Sequence, residues 1–234
     1  MMSLADLPIV LLSLKVALVA TLISLPPAIL VAFALARGRF WGREIVNAIV
    51  HLPLVVPPVV TGFLLLRTLG PHGVIGAWLQ RVLGITVAFR WTGAAIAAAV
   101  MGFPLMVRAI RLAIEAVDER LEDAAATLGA TPLRVALTIS LPLALPGVIS
   151  GALLAFAKGM GEFGATITFV SNIPGETQTL ALAIYSFLES PGGDAQAMRL
   201  VWLSIAVSFT ALIASEVLTR RSLARRSVEA LARR

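Results

Sequence analysis

Asp118-Glu119-Arg120-Leu121-Glu122-Asp123-Ala124-Ala125-Ala126-Thr127-Leu128-Gly129 is a short acidic, Ala-rich stretch set between two long apolar runs. Asp118 is a good N-cap, and Glu119, Glu122 and Asp123 stand near the positive end of the helix dipole. Leu121, Ala124, Ala125 and Leu128 fall at helical spacing and give a slim apolar face. Gly129 can take the left-handed conformation that ends a helix. Thr131 then caps a new helix, with Pro132 in its first turn. The stretch reads as a polar helix where membrane meets cytoplasm, placed to receive force from another protein.

The rest of the chain supplies the membrane. Of 234 residues, 59% are hydrophobic and only 14% charged, and the mean hydropathy is +0.93. A soluble domain of this size needs more polar surface. The apolar residues are grouped into runs long enough to cross a bilayer, so the fold class is an all-α, polytopic membrane helical bundle. There is no Cys, which excludes disulfides, thiolate metal sites and Cys nucleophiles. With two His and no carboxylate near His51 in sequence, a metal site is not expected. The net charge of +6 comes from Arg clustered beside apolar runs, as on cytoplasmic membrane flanks, so no nucleic-acid partner is expected. Asp6 and the absence of Lys or Arg before Lys15 do not fit a signal peptide, and the first apolar run is read as a retained span.

Five spans are expected: 11–36, 45–66, 91–107, 135–157 and 197–219. Several carry Pro, at 26 and 27, at 53, 57 and 58, at 104, and at 142 and 146, which a membrane bundle tolerates as kinks. Thr179 to Leu188 is too short to span and is read as a helix at one membrane face. With the N-terminus outside, thirteen of the nineteen basic residues fall inside, leaving Lys15, Arg67, Arg81, Arg90, Lys158 and Arg199. That arrangement makes residues 1–234 one transmembrane domain, with the polar helix (about 118–129) and a basic tail (220–234) in the cytoplasm.

Asp123-Ala124-Ala125 is followed by three residues, Gly129, nine residues and then Ile139-Ser140-Leu141-Pro142. This spacing resembles the EAA loop of binding-protein-dependent ABC importers, with Asp123 where the family usually has Glu. In that family the segment is the coupling helix, which docks in a groove of the ATP-binding subunit. The resemblance therefore implies that Glu122, Asp123, Ala124, Ala125, Leu128 and Gly129 contact an ATPase. Gly161 to Phe169, leading into Ser171-Asn172-Ile173-Pro174-Gly175-Glu176-Thr177, resembles the molybdate permease subfamily. So do His51-Leu52-Pro53-Leu54-Val55 with Pro57-Pro58, and Phe103-Pro104-Leu105-Met106-Val107-Arg108-Ala109-Ile110-Arg111. The resemblance implies a homodimer with two ATP-binding subunits, an external molybdate-binding protein and a bacterial or archaeal inner membrane. Sulfate and tungstate permeases are the neighbouring alternatives.

An independent feature agrees with a borrowed energy source. A P-loop needs Gly-Lys followed by Ser or Thr, and neither Lys15 nor Lys158 follows a Gly. No cofactor and no catalytic residue are expected in this chain; ATP belongs to a partner. An ion-coupled carrier would place acidic residues mid-span, and the expected spans hold only Glu216, near an end. For a tetrahedral dianion, Thr166, Thr168, Ser171 and Asn172 are candidate path residues. Lys158 and Glu162, four apart, are placed to pair on one helix face.

Overall fold

In a computed structural model, residues 6–210 and 213 are described. They fold as helices: α1 (Asp6–Arg37), α2 (Arg43–Val55), α3 (Pro58–Leu69), α4 (Val74–Leu83), α5 (Trp91–Glu115), α6 (Glu119–Thr127), α7 (Pro132–Met160), α8 (Gly164–Val170) and α9 (Leu180–Leu188). A further helix, α10, covers 194–210. Among the described residues there is no strand.

α1, α5 and α7 are each long and apolar enough to cross a membrane. α5 is the central post, buried between α1 and α7. Leu35, Ile110, Ile114 and Val148 fill one core, and Ala94, Ala98, Phe169 and Val170 fill another, nearer the start of α5. Small residues let the backbones approach, as is usual where lipid gives helices no hydrophobic reason to associate. A Cβ on Gly147 would collide with Ala113. One on Gly151 would lie 3.0 Å from the Met106 carbonyl.

The second expected span is not one straight helix. α2 and α3 are bent by 111° at Val56-Pro57, with Val56 at ψ 137° and Pro57 at ψ 134°. Each of these residues precedes a Pro, and a following Pro ring drives its neighbour out of the α region. Two in succession make a corner. The pair counts as a fourth span only if the broken unit crosses as a whole. Of the fifth expected span, 197–210 lies within α10; 211–212, 214–219 and the tail at 220–234 lie outside the described residues. α9 is the short helix expected at 179–188, and the Leu180 amide donates to Ser13 Oγ of α1 at 2.7 Å. α4 was not expected; Gly73 and Gly84 delimit its ten residues.

Candidate functional site

The polar helix forms as its sequence dictates. The Asp118 carboxylate accepts from the Arg120 amide at 3.0 Å. At the other end Gly129 has φ +83°. The Gly129 amide donates to the Ala126 carbonyl and the Ala130 amide to the Ala125 carbonyl, at 2.9 and 3.1 Å. This pair of bonds is a Schellman stop, which requires the left-handed residue. Thr131 Oγ1 then accepts from the Arg134 amide at 3.4 Å and starts α7.

α6 presents two unlike faces. Outward, Leu121, Asp123, Ala124 and Leu128 are exposed, Leu128 at 89%. Among the described residues none covers that leucine. Inward, Glu122 is two-thirds or more buried and tied to two other elements. Arg37, the last residue of α1, donates through Nε to Glu122 Oε2 at 3.0 Å and through Nη2 to Oε1 at 3.1 Å. Arg37 also reaches the Val117 carbonyl at 2.8 Å and Glu119 at 3.2 Å. Ser140 Oγ donates to Glu122 Oε1 at 2.7 Å.

Ser140 ends a π-helical segment, Ala136–Ser140, at the head of α7. Such segments carry an extra residue per turn and are common at functional sites. Of the six residues expected to meet an ATPase, Asp123, Ala124, Leu128 and Gly129 are exposed and Ala125 is half-buried. Glu122 instead fastens the helix to α1 and α7. Sequence reading treated Arg37 only as a flanking charge; its partners lie 80 or more positions away, beyond any local signal.

The same end of the bundle gathers other cations. Arg39 and Arg43 line a cavity of about 440 Å³ with Glu119, Glu122 and Asp123. Arg111 pairs with Glu115 at 2.8 Å, and Arg43 reaches Glu115 at 3.9 Å.

The motif from Gly161 to Phe169 forms α8 and packs against α3. Gly62 is the contact: a Cβ there would lie 2.5 Å from the Ala165 carbonyl. Gly164 lies beside Pro58, with 2.8 Å to the Pro58 Cβ for an added side chain. The two separate sequence motifs, Pro57-Pro58 and Gly161–Phe169, therefore meet. Glu162, with a side chain 1% exposed, accepts from Lys158 Nζ at 2.7 Å and from the Ala165 amide at 3.0 Å. The expected pairing of Lys158 with Glu162 is present.

The four candidate path residues are placed differently. Thr166 is 2% exposed. Thr168 Oγ1 donates to the Gly164 carbonyl at 2.9 Å. Ser171 has φ +63°, a strained left-handed conformation for a non-glycine residue. Its carbonyl accepts from Thr177 Oγ1 at 2.9 Å, and Thr177 Oγ1 in turn accepts from the Ile173 amide at 2.8 Å. Asn172 Nδ2 donates weakly to the Leu182 carbonyl at 3.4 Å. Thr166 and Thr168 are thus engaged in packing and backbone bonding, while Ser171 is open to the surface. Among the described residues no cluster of three His, Asp or Glu is placed to hold a metal.

Comparison with known proteins agrees with this geometry. Residues 25–227 match the family model described as binding-protein-dependent transport system inner membrane component. The chain is 57% identical to the molybdenum transport system permease protein of Escherichia coli, covering 91% of this chain and 93% of that one. It is 52% identical to the Haemophilus influenzae protein of the same description, covering 90% and 92%. A probable sulfate transport system permease of Chlorokybus atmophyticus is 34% identical over 76% of this chain and 62% of its own. Among solved structures, a bacterial ABC transporter that imports alginate has TM-score 0.75 at 18% identity, covering 94% of this chain and 80% of that one. An inward-facing methionine ABC transporter has TM-score 0.66 at 16% identity, covering 94% and 99%. Length, fold and the capped α6 all accord with the matched family: the chain belongs to the inner membrane components of binding-protein-dependent transport systems.

Proposed function

We propose that this chain is the membrane-spanning subunit of an ATP-driven importer that carries molybdate inward. The observation that carries the substrate is the 57% identity, over nearly the whole of both chains, to a molybdenum permease. The outward face of α6, with Asp123, Ala124, Ala125, Leu128 and Gly129, docks in an ATP-binding partner. Two copies of this chain and two such partners make the working unit, and a binding protein delivers the anion from outside. ATP binds to the partner, and the chain holds no cofactor of its own.

The geometry supports a mechanical role. α6 is not a free loop: Arg37 and Ser140 hold its inner face, so a push on Leu128 is felt by α1 and α7 together. Both helices pack on the central α5. A shift of the partner's groove therefore reorients the bundle as one lever, and membrane access to the anion alternates. The N-terminus lies outside and the C-terminus inside, supported by the gathering of Arg37, Arg39, Arg43 and Arg111 at the α6 end.

The test is ATP hydrolysis in proteoliposomes containing this chain and its ATPase subunit, with binding protein supplied at the outer face. Stimulation by molybdate- or tungstate-loaded binding protein, and none by the sulfate-loaded form, is expected. Stimulation by sulfate alone would move the chain to the sulfate permeases. No stimulation, with an ATPase subunit that does not co-purify, would sink the importer reading.

A further inference from the structure

Two stretches singled out in the sequence, His51 with its Pro-rich sequel and Phe103 to Arg111, are far apart in the chain and meet in space, bonded between residues 64 positions apart. Asn47 and His51 of α2 and Arg108 and Arg111 of α5 line one cavity of about 310 Å³, together with Leu112 and Glu115. At about 30 Å³ per water, this volume is on the order of ten water molecules, ample for a tetrahedral oxyanion with part of its hydration shell. The cross-link is direct: Arg111 Nη1 donates to Asn47 Oδ1 at 3.2 Å.

The charges in this cavity do not cancel. Glu115 is held by Arg111 at 2.8 Å and by Arg43 at 3.9 Å. Arg108 is exposed, and among the described residues it has neither an ion pair nor a hydrogen-bonded partner. It stands seven residues before the end of α5, about 10 Å along the axis. It lies just past the expected span 91–107, and its exposed guanidinium faces the cavity, where an anion can reach it. His51 Nδ1 lies 2.8 Å from the Asn47 carbonyl. A carbonyl only accepts, so Nδ1 carries the proton there and Nε2 is left for the cavity.

We infer that this cavity between α2 and α5 is an oxyanion-binding station near the inner end of the transport path, with Arg108 as its principal cation. Arg111 and Asn47 shape the site, and His51 lines it. The ligand is a tetrahedral dianion of the molybdate class. The site holds one full guanidinium charge not already paired, enough to attract the anion and too little to trap it. The inference rests on the oxyanion-importer reading above.

The experiment uses the complete transporter, this chain with its ATPase subunit, in proteoliposomes with molybdate-loaded binding protein. Uptake of molybdate and hydrolysis of ATP are measured for the parent, Arg108→Gln and Arg108→Lys. The expected result is uptake by Arg108→Gln reduced about tenfold or more, ATP hydrolysis changed less than about twofold, and recovery of most uptake in Arg108→Lys. Unchanged uptake in Arg108→Gln overturns the station. So does a parallel fall of uptake and hydrolysis in both variants, which would mark Arg108 as structural. A lipid phosphate could supply the same chemistry, so the parent is also assayed in vesicles of phosphatidylcholine alone. Loss of parental uptake there, matching the Arg108→Gln loss in mixed anionic vesicles, assigns the cavity to a headgroup and overturns the proposal. If Arg108→Gln does not assemble with the ATPase, the parent and Arg108→Gln chains are heated in detergent without the ATPase, with and without added molybdate. A molybdate-dependent rise in Tm in the parent that is reduced in Arg108→Gln supports the station; equal rises overturn it. A parent that responds to no oxyanion-loaded binding protein shows failure of the importer reading itself, a result visible before any variant is compared.

Discussion

Helix α6 and the segment from Glu162 to Leu180 are both polar interruptions in an apolar chain, and they treat their polar groups in opposite ways. In α6 the inner carboxylate, Glu122, is fastened by Arg37 and Ser140, while Leu128 and Asp123 face outward and are exposed among the described residues. In the second segment Glu162, Thr166, Thr177 and Thr179 turn inward, while Ser171 stays exposed. Glu162 is enclosed and bonded on both oxygens, Thr177 is fully buried, and Thr177 bridges the backbone at 171 and 173. The first region is a fastened handle; the second is an internally bonded knot. A handle needs an exposed face and a rigid root, whereas a knot holds by its internal bonds, and this one still leaves Asn172 Oδ1 and Thr179 Oγ1 buried without a partner among the described residues.

Four substitutions test that contrast, taken in order of expected loss of stability. Glu162→Ala leaves Lys158 without its carboxylate and the Ala165 amide without its acceptor. A loss of about 3 kcal/mol is expected, the low end for a buried pair because Lys158 is about one-third exposed. Thermal unfolding of the detergent-solubilised chain checks this, and an unchanged midpoint would mean these bonds do not hold the knot in solution. Arg37→Met removes both fastenings of Glu122 to α1. About 2 kcal/mol is expected, discounted for partial exposure. Uptake per ATP hydrolysed should fall as well, because the handle loses its root; a constant ratio would show that α7 alone transmits the push.

Gly129→Val forces a β-branched side chain into a left-handed residue. The cost is about 1–2 kcal/mol, with no collision, since nothing lies within 4 Å of the added carbon. The chain should still insert, and ATP-coupled uptake should be lost. Retained uptake in membranes that contain the variant would refute the assignment of α6. Leu128→Ser should change stability by no more than about 0.5 kcal/mol, the usual range for an exposed site. It should weaken docking of the ATPase subunit about tenfold or more, the worth of one buried leucine. Pull-down at graded ATPase concentration measures it, and equal retention would mean that Leu128 is not part of the docked face.

The contrast also explains what was legible in the sequence. α6 is written locally: Asp118, Gly129, Thr131 and Pro132 each act within a few residues, and each does what its chemistry predicts. The inward turn of Glu122 depends on Arg37, 85 positions away, and no local pattern reports it. Proline shows the same limit. Pro26-Pro27 lies inside an unbroken α1, whose Ala28, Ala32 and Leu35 are fully buried in the core. Pro57-Pro58 breaks the chain by 111°, where α2 has no buried residue to hold it straight. The same dipeptide is a kink or a corner according to the packing around it. α8 escaped notice because seven residues carry too little periodicity. Its reason for being helical is the close seat of Ala165 on Gly62, a tertiary fact.

The five residues from Ala136 to Ser140 also set the phase of everything after them. A π turn accommodates one more residue than an α turn, so the faces above and below it keep the alignment of an uninterrupted helix one residue shorter. α7 thus carries a surplus residue hidden as a bulge. Deleting one residue there would convert the bulge to plain α-helix and leave Gly147 and Gly151 facing α5. Deleting one farther along would swing the remainder by about 100° and bring side chains against Ala113 and Met106. The head of α7 is the one stretch of that helix where a change in chain length need not be a change in orientation, and it is the stretch that touches the handle.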